Sequence, residues 1–319
     1  MILTPTSRVV LRAIGLGVGL LLMTGCVAGG PTQDSTPTLT PPPTPTSASA
    51  SGDASSPTSF VVDGRSVLVH VPASAPNPGK RSLLMVLHGY TGNATETLDY
   101  FGLPDLADER GFVVAAPQGT LDRDGKTFWN ASGACCNFYN APVDDSAFLS
   151  QVIATAVAEL GVDPDHVFVV GHSNGGFMAL RLACEHADQV AAVASLAGAM
   201  DGGVDCEPSQ PVSVLQVHGD ADLLIRYAGG EINGRTYTSA AGTVSLWRDA
   251  GGCGLASTSD AMDADALIPG DDLTATTWSD CRDDSSVALW TIAGGSHVPD
   301  LTPTFAGALA DWFEAHGRT

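Results

Sequence analysis

Positive charge is what this sequence has least of. Fourteen lysines and arginines stand against 35 aspartates and glutamates in 319 residues, a formal charge of −21. So anionic a surface repels nucleic acid and acidic lipid headgroups, so neither reads as a partner. Zinc-site spacing is missing too: there is no CxxC pair, and so no set of paired cysteines and paired histidines at structural zinc spacing. The acidic run 260–272 lacks the alternating Asp/Asn and glycine spacing of a calcium loop, and reads as a solvated acidic loop. No metal is expected. A long apolar lid segment of the kind used in interfacial lipase action is also absent. The apolar run 13–23 is too short and one-sided to span a bilayer.

That run belongs to a leader. Arg8 and Arg12 precede it, so residues 1–25 read as an export signal. The junction Met23-Thr24-Gly25-Cys26 resembles a bacterial lipobox, with Met23 where leucine is usual. Cys26 is therefore the expected lipidated N-terminus, with ordinary secretory cleavage nearby as the alternative. Residues 27–59, with TPTLTPPPTPTSASAS at their heart, hold too few large apolar side chains to offset the entropy of ordering. They read as an extended tether. Removing residues 1–25 takes two arginines and no acid, giving 12 − 35 = −23. The product is expected at the outer face of the cell membrane, held only by lipid at Cys26, or released outside. Residues 60–319 remain, a length that suits one large α/β domain, expected as a monomer.

Six cysteines lie beyond Cys26: Cys135, Cys136, Cys184, Cys206, Cys253 and Cys281. An even number in an exported chain reads as disulfides. Six cysteines allow fifteen pairings; Cys253 with Cys281 and Cys184 with Cys206 are favoured, leaving the adjacent Cys135 and Cys136.

From Phe60 the punctuation is regular. FVVDGRSVLVHV (60–71) sets Asp-Gly between two β-rich runs, a hairpin signal. SLLMVLHG (82–89), FVVAAPQG (112–119), HVFVVGHS (166–173), VAAVASLAG (190–198), VSVLQVHGD (212–220) and VALWTIAGG (287–295) are apolar runs of the kind buried on both faces. Helical patterns alternate with them. Asp144 or Asp145 caps a stripe of Phe148, Leu149, Val152, Ile153 and Leu160. A second helix spans 175–185, and TFAGALADWFEAHG closes the chain with Gly317 as its stop. A hairpin followed by alternating strand and helix predicts a mostly parallel sheet covered on both faces. Ligands of such sheets bind beyond the carboxyl ends of the strands.

VFVVGHSNGGFMALRLAC (167–184) contains Gly-x-Ser-x-Gly, a pattern that fixes only three positions in a chain with 36 glycines. Its context decides: Ser173 follows a buried-type strand and precedes a helix, as a nucleophile elbow requires. Gly171 and Gly175 are needed because side chains there would strike neighbouring backbone, and Gly176 adds room. A serine hydroxyl needs a base, and the base an orienting carboxylate, in the chain order Ser, Asp, His. Of eight histidines only His297, in AGGSHVPDL, follows the last predicted strand. His316 reads as solvated at a helix end, His166 and His186 as surface residues, and His70 as part of a hairpin strand. His88, His172 and His218 read as site neighbours that hold loops. HGDADLLIRY offers Asp222 as the acid and Asp220 in reserve; Asp144 and Asp145 fit a cap and a loop brace. The oxyanion needs two backbone donors, Asn174 after the nucleophile and Tyr90 in HGYTGN, with Thr91 second. Candidate substrate contacts are Trp129, Thr91 and His172. Trp129, Phe138 and Tyr139 either stack on an aryl ring or sugar or pack beneath their loop.

Together, LHGYTGN, the segment from Trp129 to Cys135, DDSAFL, VVGHSNGGFMALRLAC, VASLAG, VHGDAD and the late GGSH resemble the exported polyhydroxybutyrate-depolymerase-type esterases. That group overlaps the feruloyl and acetylxylan esterases of carbohydrate esterase family one. The resemblance implies an α/β-hydrolase fold and a Ser–His–Asp carboxylesterase without metal or organic cofactor. It carries the triad onto Ser173, Asp222 and His297, and implies a disulfide-tied flap at Trp247, Cys253 and Cys281. Many relatives follow the histidine with Trp-Pro-Gly, which helps shape the cleft; here Val298-Pro299-Asp300 stands instead. The expected activity is hydrolysis through an acyl-enzyme of the polyhydroxybutyrate-depolymerase or feruloyl-esterase kind. The alternatives are an acetylxylan or short-chain acyl esterase, or a non-catalytic surface-binding lipoprotein on a hydrolase fold.

Overall fold

The structure is a computed structural model that describes residues 58–203, 206–259 and 261–318. The leader 1–25, Cys26 and the tether up to residue 57 lie outside the described residues.

The Asp-Gly turn joins β1 (Thr58–Val62) to β2 (Arg65–His70). β1 starts two residues ahead of the boundary read at Phe60, because Thr58 pairs with Val69 and Ser59 with Leu68. β3 (Arg81–Leu87) leads through a glycine-bearing loop to α1 (Ala94–Tyr100), capped by the Asn93 side chain, then to α2 (Leu103–Arg110) and β4 (Val113–Pro117). A small hairpin of β5 (Thr120–Leu121) and β6 (Thr127–Phe128) precedes α3 (Asp145–Leu160), where Asp144 accepts from the Ala147 N–H as N-cap. β7 (Val162–His172), α4 (Asn174–Glu185), β8 (Ala192–Leu196) and β9 (Ser213–Gly219) follow. A second small hairpin, β10 (Gly230–Ile232) with β11 (Arg235–Tyr237), leads to α5 (Ala240–Gly251). The chain then forms β12 (Ala256–Thr258), β13 (Leu273–Trp278), β14 (Val287–Ile292) and α6 (Pro303–Glu314).

Ten strands make one sheet in the order β1-β2-β4-β3-β7-β8-β9-β14-β13-β12. The six central strands run parallel, and two antiparallel strands flank them at each edge. This is the α/β-hydrolase arrangement. The apolar runs are continuous because each central strand feeds two cores. Leu83, Met85 and Leu87 of β3 face α3, α4 and α5, whereas Leu84 and Val86 face α1, α2 and α6. Each such side chain contributes about 1.5–3 kcal/mol on burial.

Three disulfides are present: Cys184–Cys206 and Cys253–Cys281, the two favoured pairings, and Cys135–Cys136 between neighbours. Three expectations need correction. The acidic run is not wholly solvated: Asp265 and Asp272 are buried. Asp272 accepts from the N–H groups of Ala264 and Asp265, and Asp265 from those of Leu267 and Asp300, so these acids organise the loop. Gly317 is not the helix stop. α6 ends at Glu314, and Gly317 lies where a Cβ would come within 2.4 Å of the His166 ring. Nor is His316 solvated: its ring stacks at 4.6 Å on Trp312, its Nδ1 bonds the Trp312 carbonyl, and burial lowers its pKa.

Candidate active site

β7 ends in a turn that only a close backbone approach can explain. Ser173 has φ 54° and ψ −118°, a conformation costing a non-glycine residue about 1–3 kcal/mol. Its N–H donates to the Leu196 carbonyl and its own carbonyl accepts from the Phe177 N–H, so both sides of the strained residue are held. A Cβ on Gly171 would lie 2.1 Å from the Gly175 carbonyl oxygen, and one on Gly175 would lie 2.1 Å from that of Leu87. The elbow therefore sits on the end of β3, with Gly89 of the following loop beside Ser173.

β9 and β14 approach each other in the same way: a Cβ on Gly219 would lie 2.2 Å from the Gly295 carbonyl oxygen. That contact brings together the loops carrying Asp222 and His297. His297 Nε2 lies 2.9 Å from Ser173 Oγ, and His297 Nδ1 lies 2.7 Å from Asp222 Oδ2. A carboxylate only accepts, so Nδ1 carries the proton and Nε2 faces the serine hydroxyl with its lone pair. Asp222 is buried. Burial alone would raise its carboxyl, but hydrogen bonds from His218, His297 and the Leu224 N–H outweigh it and hold the group well below the usual carboxylate range. Asp220, the reserve acid, is exposed and accepts from the Gly294 N–H instead. Asp145 braces the loop before α3 by accepting from Arg65 and from the Asn130 N–H.

The three neighbouring histidines each hold a loop. His218 Nε2 donates to the Ile225 carbonyl at 2.7 Å, while Nδ1 accepts from the Gln216 amide. His172 Nε2 donates to the His297 carbonyl at 2.8 Å, and burial pulls its pKa down to about 4. As a candidate substrate contact, His172 thus has one ring nitrogen committed to the His297 loop. His88 Nδ1 donates to the Gly89 carbonyl and Nε2 accepts from the Gly119 N–H; burial lowers its pKa.

The Asn174 N–H opens α4, where no helical acceptor exists for it. The Tyr90 N–H has no hydrogen-bond partner among the described residues either. Thr91, second in line as an oxyanion donor, is corrected: its N–H donates to the Thr127 carbonyl at 2.8 Å. Trp129 is corrected as a stacking surface, because it is 0 % exposed. Tyr139 is half-buried, with its hydroxyl bonded to Asp124 and Arg123 lying 3.8 Å over its ring. Phe138 is 36 % exposed and packs edge-on against Tyr90 at 5.3 Å.

Sequence reasoning missed the apolar rim. Leu223 and Leu224, next to Asp222, are 86 % and 67 % exposed, and Val298, next to His297, is 54 % exposed. The signal was legible, since two leucines directly follow Asp222 and a valine directly follows His297. A cavity of about 620 Å³ lies beside α4, lined by Asn137, Phe138, Phe177, Arg181, Met200 and Arg235 among others, and by none of the three candidate catalytic residues. Among the described residues no group of His, Cys, Asp and Glu side chains is arranged to hold a metal ion.

Residues 62–250 match the model of the Esterase family, described as "Putative esterase", a span that includes Ser173 and Asp222 and stops short of His297. The chain is 34 % identical over 250 residues to "Putative esterase NocK" of Nocardia uniformis subsp. tsuyamanensis, covering 73 % of this chain and 70 % of that one. It is 28 % identical over 243 residues to feruloyl esterase B of Piromyces equi, covering 73 % of this chain and 42 % of the relative. It is 29 % identical over 187 residues to a poly(3-hydroxybutyrate) depolymerase of Ralstonia pickettii, covering 54 % and 37 %. The chain thus spans less than two thirds of the latter two relatives. Among solved structures, acetyl xylan esterase from Aspergillus awamori superposes with a TM-score of 0.55 at 17 % identity, over 82 % of this chain and 99 % of that one, a likeness of fold. By the family match and by its similarity to NocK over most of both chains, this chain belongs to the Esterase family of carboxylic ester hydrolases.

Proposed function

We propose that Ser173, His297 and Asp222 are the nucleophile, the base and the orienting acid of an exported serine esterase. The observation carrying this reading is the unbroken hydrogen-bond chain, 2.9 Å from serine to imidazole and 2.7 Å from imidazole to carboxylate. As Ser173 Oγ attacks the ester carbonyl, its proton passes to His297 Nε2 and Asp222 stabilises the imidazolium. The N–H groups of Asn174 and Tyr90 receive the oxyanion. Collapse returns the proton to the departing alkoxide, alcohol leaves, and water activated by His297 releases the acid from Ser173.

The substrate we infer is an ester with an apolar acyl or aryl group and a hydroxylated partner, as in feruloyl or hydroxybutyrate esters. Exposed Leu223, Leu224 and Val298 beside the triad support the apolar part, and Phe138 against Tyr90 supports an aromatic one. The three disulfides support export. Lipidation at Cys26 is part of the same proposal; fatty-acid labelling lost in Cys26→Ala tests it.

The test of function is hydrolysis of p-nitrophenyl acetate, methyl ferulate, acetylated xylan and hydroxybutyrate oligomers, with fluorophosphonate labelling alongside. Wild type is expected to label and to hydrolyse the ferulate or hydroxybutyrate esters. Ser173→Ala should lose both, with turnover down on the order of 10⁴-fold or more. Wild-type turnover in Ser173→Ala would overturn the assignment.

A further inference from the structure

β6 and the residue after it grip the candidate oxyanion site from behind. The Trp129 N–H donates to Asn174 Oδ1 at 2.7 Å, and the Asn174 amide donates back to the Trp129 carbonyl at 3.0 Å. The Trp129 indole N–H donates to the His88 carbonyl at 2.9 Å. Two residues earlier, the Thr127 carbonyl accepts from the Thr91 N–H, and its hydroxyl donates to the Gly92 carbonyl. Tyr90 lies between these pins with its own N–H unengaged among the described residues.

We propose that Trp129 is a positioning residue that sets the separation of the two oxyanion donors, the N–H groups of Asn174 and Tyr90. This rests on the catalytic reading above. A two-bond clasp fixes the Asn174 side chain in rotation as well as distance, and with it the first turn of α4. The indole bond fixes the His88 peptide, two residues before the Tyr90 N–H. Every hydrogen-bonding group of Trp129 is engaged in this pair of contacts, and the side chain is fully buried. Phenylalanine could fill most of the volume but carries no donor to hold His88. The clasp is anchored in turn. Asp145 Oδ2 accepts from the Asn130 N–H at 2.6 Å while Oδ1 pairs with Arg65, whose guanidinium lies 5.3 Å from the Trp129 ring.

The test is Trp129→Phe, assayed per site titrated with fluorophosphonate. A displaced donor should lower kcat roughly 10- to 100-fold, with KM within about twofold. Affinity for a trifluoromethyl ketone, whose serine adduct bears the oxyanion, should fall by the same factor as kcat/KM. A merely structural Trp129 would lower thermal stability and leave kcat per site and ketone affinity unchanged, which would overturn the proposal. Should Trp129→Phe fail to fold, Asn174→Ala decides: it removes the clasp, keeps both backbone donors, and should show the same paired losses, whereas wild-type values overturn the proposal. If wild type neither labels nor hydrolyses esters, the catalytic reading itself fails; if it does both and the variants match it, only the positioning role fails.

Discussion

Asp222→Asn should abolish turnover while leaving the site's shape nearly intact, and the geometry forces the reason. Asp222 Oδ1 is committed, accepting from the N–H groups of Leu224 at 2.8 Å and Ile225 at 3.0 Å. An asparagine must keep its carbonyl oxygen there, because its amide group would face two donors. The amide therefore turns toward His297 Nδ1, 2.7 Å away, with His218 Nε2 at 3.4 Å. Donor meets donor at His297, and the imidazole is relieved by moving its proton from Nδ1 to Nε2. Nε2–H then points at Ser173 Oγ, 2.9 Å away, and cannot accept its proton. The expected loss is about 10⁴-fold in kcat, or roughly 5.5 kcal/mol of barrier. The assay is p-nitrophenyl ester turnover per folded molecule, with circular dichroism confirming the fold. Asp220→Asn is the matched control: Asp220 is exposed and, among the described residues, its side chain holds only the Gly294 N–H, so turnover should stay near wild type. If Asp222→Asn turns over within tenfold of wild type, Asp222 does not set the His297 tautomer.

The fold should weaken in mild acid through His172, whose pKa falls from about 6.5 in the unfolded chain to about 4. Between these values the unfolded state binds a proton that the folded state refuses, so stability drops as pH falls from about 6.5 to 4, by on the order of 3 kcal/mol. His88 is shifted the same way and adds to the slope. Urea titrations across that range should show a flatter slope in His172→Gln, and an unchanged slope would contradict the assignment. Two glycine substitutions should act in opposite directions. Gly175→Ala would drive a Cβ to 2.1 Å from the Leu87 oxygen and should cost about 3 kcal/mol together with most activity. Gly307→Ala, in α6 with nothing within 4 Å, should stabilise by about 0.5–1 kcal/mol; thermal melts read both.

The readable parts of the molecule were those whose constraint is local in the chain. The apolar runs announced β3, β4, β7, β8, β9 and β14 because a strand feeding two cores has no polar face to interrupt it. β13 went unread although Leu273 and Ala275 are buried on either side of exposed Thr274: the threonines that follow blur the alternation, and the acidic run hides its start. α5 went unread although Ser239 caps it and Val244 and Trp247 share its buried face. Trp129 and Thr91 failed differently. An aromatic in a loop looks the same in sequence whether it faces solvent or a backbone carbonyl 41 residues away. An N–H in a glycine loop looks free until a second strand arrives to accept it.

The end of the sheet that carries the proposed triad is encoded largely by side chains that are not there. Gly171 against Gly175, Gly175 against Leu87 and Gly219 against Gly295 are three places where the backbone approaches more closely than any Cβ permits. The first two lock Ser173 onto the end of β3, where the candidate oxyanion loop begins. The third draws β9 to β14 so that Asp222 and His297 can meet. These contacts precede any hydrogen bond in the site, since a displacement of one ångström at any of them would take the 2.7 and 2.9 Å separations out of bonding range. The polar residues then refine what the glycines permit. His172 holds the His297 loop, His218 at 3.4 Å and two backbone donors hold Asp222, and Trp129 holds the wall opposite. The strained φ of Ser173 persists because its N–H is held by Leu196 of β8, its carbonyl by Phe177 of α4, and nearby Gly175 by the end of β3, so no single relaxation relieves it.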